Sequence, residues 1–316
     1  MKKLNLPILF LCYKNIDITL NTFNLIKKAN PIKLYIHIDG PKNKIEEEEQ
    51  NKLRKFFSEN MFTDIIIYSS KKNLGLKNGV LSGINWFFKF EDMGIIIEYD
   101  TLVNLSFFKF AEKLLDKYKN NKKIYHISAS NFYPNMKMLD KDSSYGYNSW
   151  PHVWGWATWK RAWNDYQKNL IDFKEFKKNK KIKNFFYSKK AQKYFLKKLE
   201  NTNNGSDGSW DWAWAYTILY NNGYSIYPKT NLVSNVGFQQ GASTSSNLNH
   251  ILSKRKTYFL DEIVYTSSIK RNIEIDNLLA EDLYNFENKI NLKIILFNLF
   301  LLIKKNKFIK LFFKKK

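Results

Sequence analysis

Cysteine and arginine are both scarce in this chain of 316 residues. Its single cysteine, Cys12, excludes an internal disulfide and indicates a reducing compartment. Basic residues outnumber acidic ones by 52 to 29, yet arginine occurs at only four positions, so the net charge of +23 is carried almost entirely by lysine. Because arginine is favoured for base readout and bidentate phosphate contacts, the charge favours a membrane surface or phosphorylated small molecules over nucleic acid.

Motifs of common nucleotide-binding proteins and membrane anchors are also absent. No Gly-x-Gly-x-x-Gly follows the first apolar run and no Walker loop occurs, which argues against dinucleotide cofactors and NTPase activity. The apolar run at residues 290–303 is shorter than the roughly 20 residues that span a bilayer. Asn5 and Pro7 interrupt the apolar start of the chain, so no signal peptide is expected and we predict a cytoplasmic protein.

The first third of the chain alternates apolar runs with amphipathic segments. Strands are expected at residues 7–12, 33–38, 64–69 and from 95, and helices at 17–30, with Asp17 as the cap, 46–59 and 79–90. This order predicts an α/β fold with a mostly parallel sheet. The second half is expected to contain a helix at 105–118, a strand at 124–128, a polar loop at 131–148, a lysine-rich helical segment at 170–199, a loop at 201–209 and a helix at 213–220.

The fourth strand is an aliphatic run that ends in acids. Ligands of open α/β sheets bind at the carboxyl ends of strands, where Glu98 and Asp100 are placed. Strand alternation would direct these two carboxylates to one face and Tyr99 to the other. They could hold a divalent cation on phosphates or bind a ribose, whereas a strand end with solvated acids explains the same motif equally well.

Tryptophans cluster at residues 150–163, which hold five of the chain's nine. Indoles can stack on sugar rings, although most of these are expected to be core residues, with Trp156 after Gly155 as the exception. A second aromatic group, formed by Trp210, Trp212 and Trp214, surrounds Asp211 at the start of the helix expected at residues 213–220. Asp211 can be a helix cap or a catalytic residue, and the residues alone leave both open.

Seven segments together carry a resemblance to a known family. They are residues 7–15, 39–41, 73–75, 98–100, 151–163, 209–211 and 231–238. In their order along residues 6–247 they resemble bacterial GT-A type nucleotide-diphospho-sugar transferases, close to glycosyltransferase family 2. The resemblance implies a GT-A, Rossmann-like domain at residues 1–248, with a nucleotide-binding half to about residue 104 and an acceptor half at 105–248. A helical extension would follow at 249–316.

The resemblance also implies roles for individual residues. Asp39 would accept a hydrogen bond from the nucleotide base, Tyr13 would pack on that base, Asp100 would bind Mn²⁺ or Mg²⁺ on the diphosphate, and Asp211 would be the general base of an inverting transfer. Further donor-binding residues would be Asn73, Gly75, Lys77, Glu98 and Tyr99, and acceptor- or sugar-binding residues would be His152, Trp154, Trp156 and Trp210. Two departures weaken the expected metal site, because Tyr99 replaces an acid and Thr244 stands where a histidine is expected.

The C-terminal segment is expected to bind a membrane surface. Asn291, Asn298 and Lys305 recur every seven residues along one narrow helical face and leave a wide apolar face, and residues 304–316 add lysines and a second apolar patch. This pattern is typical of a helix lying in the interface of an anionic membrane, although a core or dimer helix explains it too. Oligomeric state is not predicted.

These observations predict a peripheral glycosyltransferase on the cytoplasmic face of the inner membrane. It would move a sugar from a nucleotide-diphosphate donor, with a UDP-sugar favoured, to a glycan or lipid-linked glycan in bacterial surface polysaccharide biosynthesis. One alternative is a catalytically weakened, membrane-associated nucleotide-sugar-binding protein of the same fold. A basic nucleic-acid-binding protein is a third and less favoured interpretation.

Overall fold

A computed structural model describes residues 3–134, 140–238 and 255–305 of the chain, with side chains as far as residue 289. The strands in these ranges are β1 (Leu4–Cys12), β2 (Pro31–Ile38), β3 (Asp64–Ser69), β4 (Met93–Glu98), β5 (Thr101–Val103), β6 (Ile124–Ser128), β7 (Tyr145–Asn148), β8 (Trp156–Trp159), β9 (Tyr224–Pro228) and β10 (Val233–Asn235). The helices are α1 (Ile16–Ala29), α2 (Lys44–Glu59), α3 (Gly75–Phe90), α4 (Leu105–Tyr118), α5 (Lys160–Trp163), α6 (Phe173–Lys178), α7 (Lys189–Asn203), α8 (Asp211–Tyr220) and α9 (Ile273–Lys305).

Within the described residues, eight strands form one sheet in the order β3-β2-β1-β4-β8-β6-β9-β7. The strands β3, β2, β1 and β4 run parallel to one another, which confirms the α/β fold and the parallel first half. Strand β8 lies antiparallel between β4 and β6, and β7 is antiparallel to β9. A separate antiparallel pair, β5 and β10, follows the acidic end of β4. The sheet is therefore mixed and mostly parallel.

Strand β1 is buried on both faces of the sheet. Phe10 packs in the core that includes α1, α2 and α4, whereas Leu9 and Leu11 pack in the core that includes α3. Because both faces are covered by helices, the strand carries an uninterrupted apolar run instead of an alternating one. Its carboxyl end therefore opens between two helical layers.

Several local expectations differ from the structure. Asn15, and not Asp17, caps α1, because its side-chain oxygen accepts the Ile18 N–H at 3.3 Å. Residues 145–148 and 156–159 form strands where a loop and an aromatic block were expected. The segment at 170–199 is not one helix but α6, a 3₁₀ turn at Lys181–Asn184 and most of α7, which extends to Asn203 into the expected loop.

Helix α9 is longer than the helix expected at residues 290–303. Its first turns pack beside α7 and α8, where Leu279, Ala280 and Leu283 are buried in an aromatic core. The side chains of residues 290–305 and all of residues 306–316 lie outside the described residues, so the membrane-binding face and the domain boundary at residue 248 stay predictions. Among the described helices, none has the length and apolarity needed to cross a bilayer.

Candidate functional site

A cavity of about 310 Å³ opens at the carboxyl ends of β1, β2 and β4. The chain moves outward from β1 to β2 and β3, and then crosses to the other side of β1 for β4. The cavity therefore lies at a topological switch point, where open α/β sheets bind their ligands.

Most of the residues predicted for the site line this cavity. They are Tyr13, Asp39, Asn73, Gly75, Glu98, Tyr99, Asp100, Trp154, Trp210 and Asp211. Lys77, His152 and Trp156 are not among the lining residues. Strand β4 ends at Glu98, and residues 99 and 100 form a turn. The expected alternation does not hold in this turn, which explains why Tyr99 lines the cavity together with its two acidic neighbours.

Asp39 follows the end of β2 and is 8% exposed. Its Oδ1 accepts the Gly40 and Leu74 N–H groups at 2.9 and 3.0 Å, and its Oδ2 accepts the Asn73 side-chain amide at 3.3 Å. The carboxylate thus joins the end of β2 to the loop before α3. Burial raises the pKa of Asp39, although the hydrogen bonds from its own chain act in the opposite direction. Much of its accepting capacity is already used within the protein.

Tyr13, after β1, is held from the side of α2. Its hydroxyl donates to Glu46 at 2.5 Å, and Lys14 pairs with the same carboxylate at 3.1 Å. Burial opposes ionisation of Glu46, but these bonds and the Lys42 N–H lower its pKa to about 2. The ammonium groups of Lys14 and Lys42 lie 5.6 and 5.9 Å from the Tyr13 ring centroid. The arrangement presents a fixed aromatic ring flanked by positive charge.

The opposite side of the cavity carries three acids, Glu98, Asp100 and Asp211. Burial, together with the charges of Asp100 and Asp211, raises the pKa of Glu98. Burial also raises the pKa values of Asp100 and Asp211. A carboxyl group whose pKa is raised by neighbouring carboxylates, as that of Glu98 is, favours a bound cation or a shared proton.

The segment after β10 packs directly on Asp100. The Val236 N–H donates to the Asp100 carbonyl at 2.9 Å, and a Cβ added to Gly237 would lie 2.1 Å from Asp100 Oδ2. Asn235 Oδ1 accepts the Gly237 N–H at 2.7 Å and thereby orients this segment. A side chain larger than hydrogen at position 237 would displace the carboxylate or the backbone.

A full protein cage for a metal is not found: the described residues contain no group of three or more His, Cys, Asp or Glu side chains placed to hold an ion. Thr244, at the position of the expected histidine, lies outside the described residues. Mg²⁺ is commonly held by one or two carboxylates plus substrate phosphates. Asp100 with Glu98 fits that arrangement, and a metal bound there would neutralise charge on bound phosphates.

Asp211 is the first residue of α8 and is partly buried. The N-cap position is Trp210, and no side chain there bonds to the helix. Asp211 is thus inside the first turn, where an acid interacts favourably with the helix dipole, instead of at the cap position. Its role as a helix cap is therefore wrong in detail, and its position in the cavity leaves a catalytic role as a prediction.

The division of the aromatic residues into core residues and cavity residues differs from the expectation. Trp156 is 1% exposed and packs on His126 and Trp210, with ring centroids 5.0 and 5.6 Å away, so it cannot offer a face to a sugar. His152 packs between Phe132 and Trp150, and burial lowers its pKa. Burial therefore contradicts the predicted role of Trp156 as a sugar-binding residue, whereas His152 is partly exposed and its predicted role stays a prediction.

Trp154 and Trp210 are the indoles that line the cavity. Trp154 is partly buried, with its ring edge-to-face against Phe238 at 5.5 Å. The cavity also contains His37, Lys42 and Asn235, which the sequence interpretation did not select. His37 lies on β2 two positions before Asp39, and this spacing, which places both side chains on one face, was the signal that could have identified His37.

Comparisons with known proteins give distant structural likenesses only. No model of a known protein family and no curated protein matches the chain. One similar structure is the mannosyltransferase PcManGT from Pyrobaculum calidifontis in complex with GDP-Man and Mn²⁺, at 9% identity and a TM-score of 0.36, covering 50% of this chain and 45% of that one. A second is HddC from Yersinia pseudotuberculosis, at 10% identity and a TM-score of 0.30, covering 49% of this chain and 77% of that one. A third is the glycosyltransferase GlyE from Streptococcus pneumoniae TIGR4, at 12% identity and a TM-score of 0.30, covering 54% of this chain and 39% of that one. The chain spans less than half the length of the first and third structures, and likenesses this weak carry no functional argument.

Proposed function

We propose that the protein is a glycosyltransferase that takes a sugar from a nucleoside-diphosphate donor, preferably a UDP-sugar, and transfers it to a glycan or lipid-linked acceptor with inversion. The observation that carries this proposal is the two-sided cavity at the sheet switch point. One side presents the Tyr13 ring and Lys42, and the other presents three carboxylates beside two indoles.

The first side suits a nucleotide. The Tyr13 ring is fixed by its bond to Glu46, so a base can stack on it with little loss of side-chain freedom. Lys42 lines the same wall and supplies positive charge for an anionic ligand. Asp39 lines the cavity together with Tyr13 and Lys42. Its carboxylate can still accept a hydrogen bond, so it can bind an N–H of a base that stacks on the Tyr13 ring.

The second side suits the transfer reaction. A divalent ion on Asp100 would neutralise the leaving diphosphate, and Asp211 would remove the proton from the attacking acceptor hydroxyl. Burial raises the pKa of Asp211, which moves this base toward the operating pH. With one carboxylate acting as base and no covalent sugar–enzyme bond, the anomeric configuration inverts.

Thermal unfolding with added nucleotides tests the proposal directly. UDP with Mn²⁺ should raise the melting temperature, because a ligand of the native state stabilises it in proportion to the logarithm of its concentration over Kd. Asp100→Asn should remove the Mn²⁺-dependent part of that shift. The matched control is Asp92→Asn, which makes the same change on an exposed residue just before β4, at the opposite end of that strand. No shift with UDP, GDP or ADP would contradict the proposal.

A second candidate is a nucleotide-sugar-binding protein of the same fold without turnover. It is favoured by Tyr99, which stands in the acidic motif in place of a second aspartate and lines the cavity. Release of UDP from UDP-sugars with Mn²⁺ separates the two candidates. Binding without release, across a panel of donors and acceptors, would favour the non-catalytic protein.

We also propose that residues 290–316 attach the protein to an anionic membrane surface. The support is the lysine-rich, apolar composition of this segment together with the net charge of +23. Acceptors carried on a membrane lipid would then meet the cavity at the cytoplasmic face of the inner membrane.

A further inference from the structure

His37 is a buried cavity residue whose ring lacks a full set of partners. It lies on β2, is 1% exposed and lines the cavity described above. Its Nε2 is buried and has no hydrogen-bond partner among the described residues. A buried polar atom without a partner costs stability, so its retention at a ligand cavity calls for a partner from the ligand.

The ring is held tightly by its neighbours. The Tyr68 ring on β3 lies 5.4 Å away, centroid to centroid. On the α3 side, a Cβ added to Gly83 would lie 3.0 Å from His37 Cγ and 2.5 Å from the nearest Leu11 methyl. The imidazole therefore has little freedom to turn away. Burial lowers the pKa of His37 to about 4, so the ring is neutral near pH 7 and Nε2 can donate one hydrogen bond.

Asp39 is on the same face of the chain, two positions later, but its hydrogen-bonding state is different. Three donors of its own chain already bind its carboxylate. Nε2 of the His37 imidazole has no such partner among the described residues, whereas the Asp39 carboxylate, with about four lone-pair sites, can still accept one more donor. Together the two side chains offer one donor next to one acceptor.

We propose that His37 reads the nucleotide base by donating from Nε2 to a carbonyl oxygen of uracil, beside the imide N–H that Asp39 accepts. The inference rests on the proposed function and adds a base-specificity residue to it. The pairing edge of uracil has an N–H between two carbonyl oxygens, which matches an acceptor beside a donor. Cytosine would place its unprotonated ring nitrogen against the Asp39 carboxylate, and this repulsion selects against CDP.

Calorimetric titration of the full chain with UDP, 2-thio-UDP, 4-thio-UDP and CDP tests the assignment. Sulfur is a weaker acceptor than oxygen, so the wild type should bind one of the two thio analogues about tenfold more weakly than UDP. His37→Leu should bind UDP about tenfold more weakly and no longer distinguish UDP from that analogue. Pyrophosphate with Mn²⁺, which lacks a base, should bind the wild type and His37→Leu equally.

Two further variants separate base reading from packing. His37→Gln keeps a donor and should recover part of the affinity for UDP. Tyr68→Leu removes a ring that packs on His37 but keeps the Nε2 donor, so it should still distinguish UDP from the thio analogue, whereas His37→Leu should not. Thermal melting shows that each variant is folded.

Equal binding of UDP and both thio analogues by the wild type would overturn the assignment without any substitution. So would a His37→Leu protein that binds UDP as tightly as the wild type. A wild type that binds none of the nucleotides contradicts the proposed function instead, and the inference with it.

Discussion

Replacing Asp211 by asparagine tests the proposed chemistry most directly. Asparagine keeps the shape of the side chain but cannot take a proton from an acceptor hydroxyl. Loss of a general base typically lowers turnover by a factor of about 10² to 10⁴, or about 3 to 5 kcal/mol of activation free energy. We therefore expect Asp211→Asn to bind UDP and to lose turnover by that factor.

The structure limits how much stability the same change can cost. An acid in the first turn of α8 contributes about 0.3 to 1 kcal/mol through the helix dipole. Removal of one of three neighbouring carboxylates acts in the opposite direction, since Asp211 and Asp100 both raise the pKa of Glu98. The free energy of unfolding should therefore change by less than about 1 kcal/mol, far below the expected change in activation free energy.

The pH dependence has a defined sign. Burial raises the folded-state pKa of Asp211 above its ordinary value of 3.8, so its ionisation opposes folding as pH rises from that value through the folded pKa. The same ionisation produces the active base, so the turnover of the wild type should rise with pH through the folded pKa. Asp211→Asn should lack both effects.

The assay combines UDP release, calorimetric UDP binding, thermal melting and NMR of the product anomer. Asp207→Asn is the matched control, because Asp207 lies on the loop before α8, accepts the Ser209 N–H at 3.0 Å and carries the same charge. It should keep turnover. A fully active Asp211→Asn protein, or a product of retained configuration, would refute the assignment of Asp211 as the base.

Four other changes have distinct expected outcomes. Gly237→Ala should weaken Mn²⁺ binding in a metal titration, because its Cβ would lie 2.1 Å from Asp100 Oδ2. Gly208→Ala is the control and should not weaken it, because nothing lies within 4 Å of a Cβ at that position. Equal titrations of the two variants would contradict the position of Asp100. Asp39→Ala should lower the free energy of unfolding by about 2 kcal/mol in urea titrations, since buried donors lose their acceptor, and should also weaken UDP binding; an unchanged urea midpoint would contradict this. Trp156→Ala should lower the free energy of unfolding by about 3 to 5 kcal/mol as a core truncation, whereas Trp154→Ala should mainly lower turnover. A larger loss of stability in Trp154→Ala than in Trp156→Ala would contradict the assignment of Trp156 to the core and Trp154 to the cavity. Deletion of residues 290–316 should release the protein from anionic vesicles in a sedimentation assay while UDP binding persists; continued vesicle binding would contradict the proposed attachment.

The strands and helices of the first third were predictable because their signals are local. The aliphatic runs of β1 and β4 are buried on both faces, and helical periodicity shows where α1 to α3 lie. The acids at the end of β4 were enough to predict that Glu98 and Asp100 lie at the carboxyl edge of the sheet, whereas the role of Asp39 came from the family resemblance.

Strand β8 depended on the tertiary structure. Its residues Trp156–Trp159 carry no periodic signal, and they form a strand because β4 and β6 offer edges on both sides. Gly155, with φ of 59°, precedes the strand in a left-handed conformation that breaks the alternation between Trp154 and Trp156. The sequence alone therefore could not show which of the two indoles is buried.

The sequence by itself determined which chemical groups this site contains: acids at strand ends, a tyrosine after β1 and indoles near Asp211. Only the tertiary structure decided how each group is used. Two of the three donors to Asp39 come from residues 34 and 35 positions later, and the open Nε2 of His37 depends on packing by β1, β3 and α3. Hydrogen-bond saturation and burial are properties of contacts between distant segments, so no local pattern in the chain could record them.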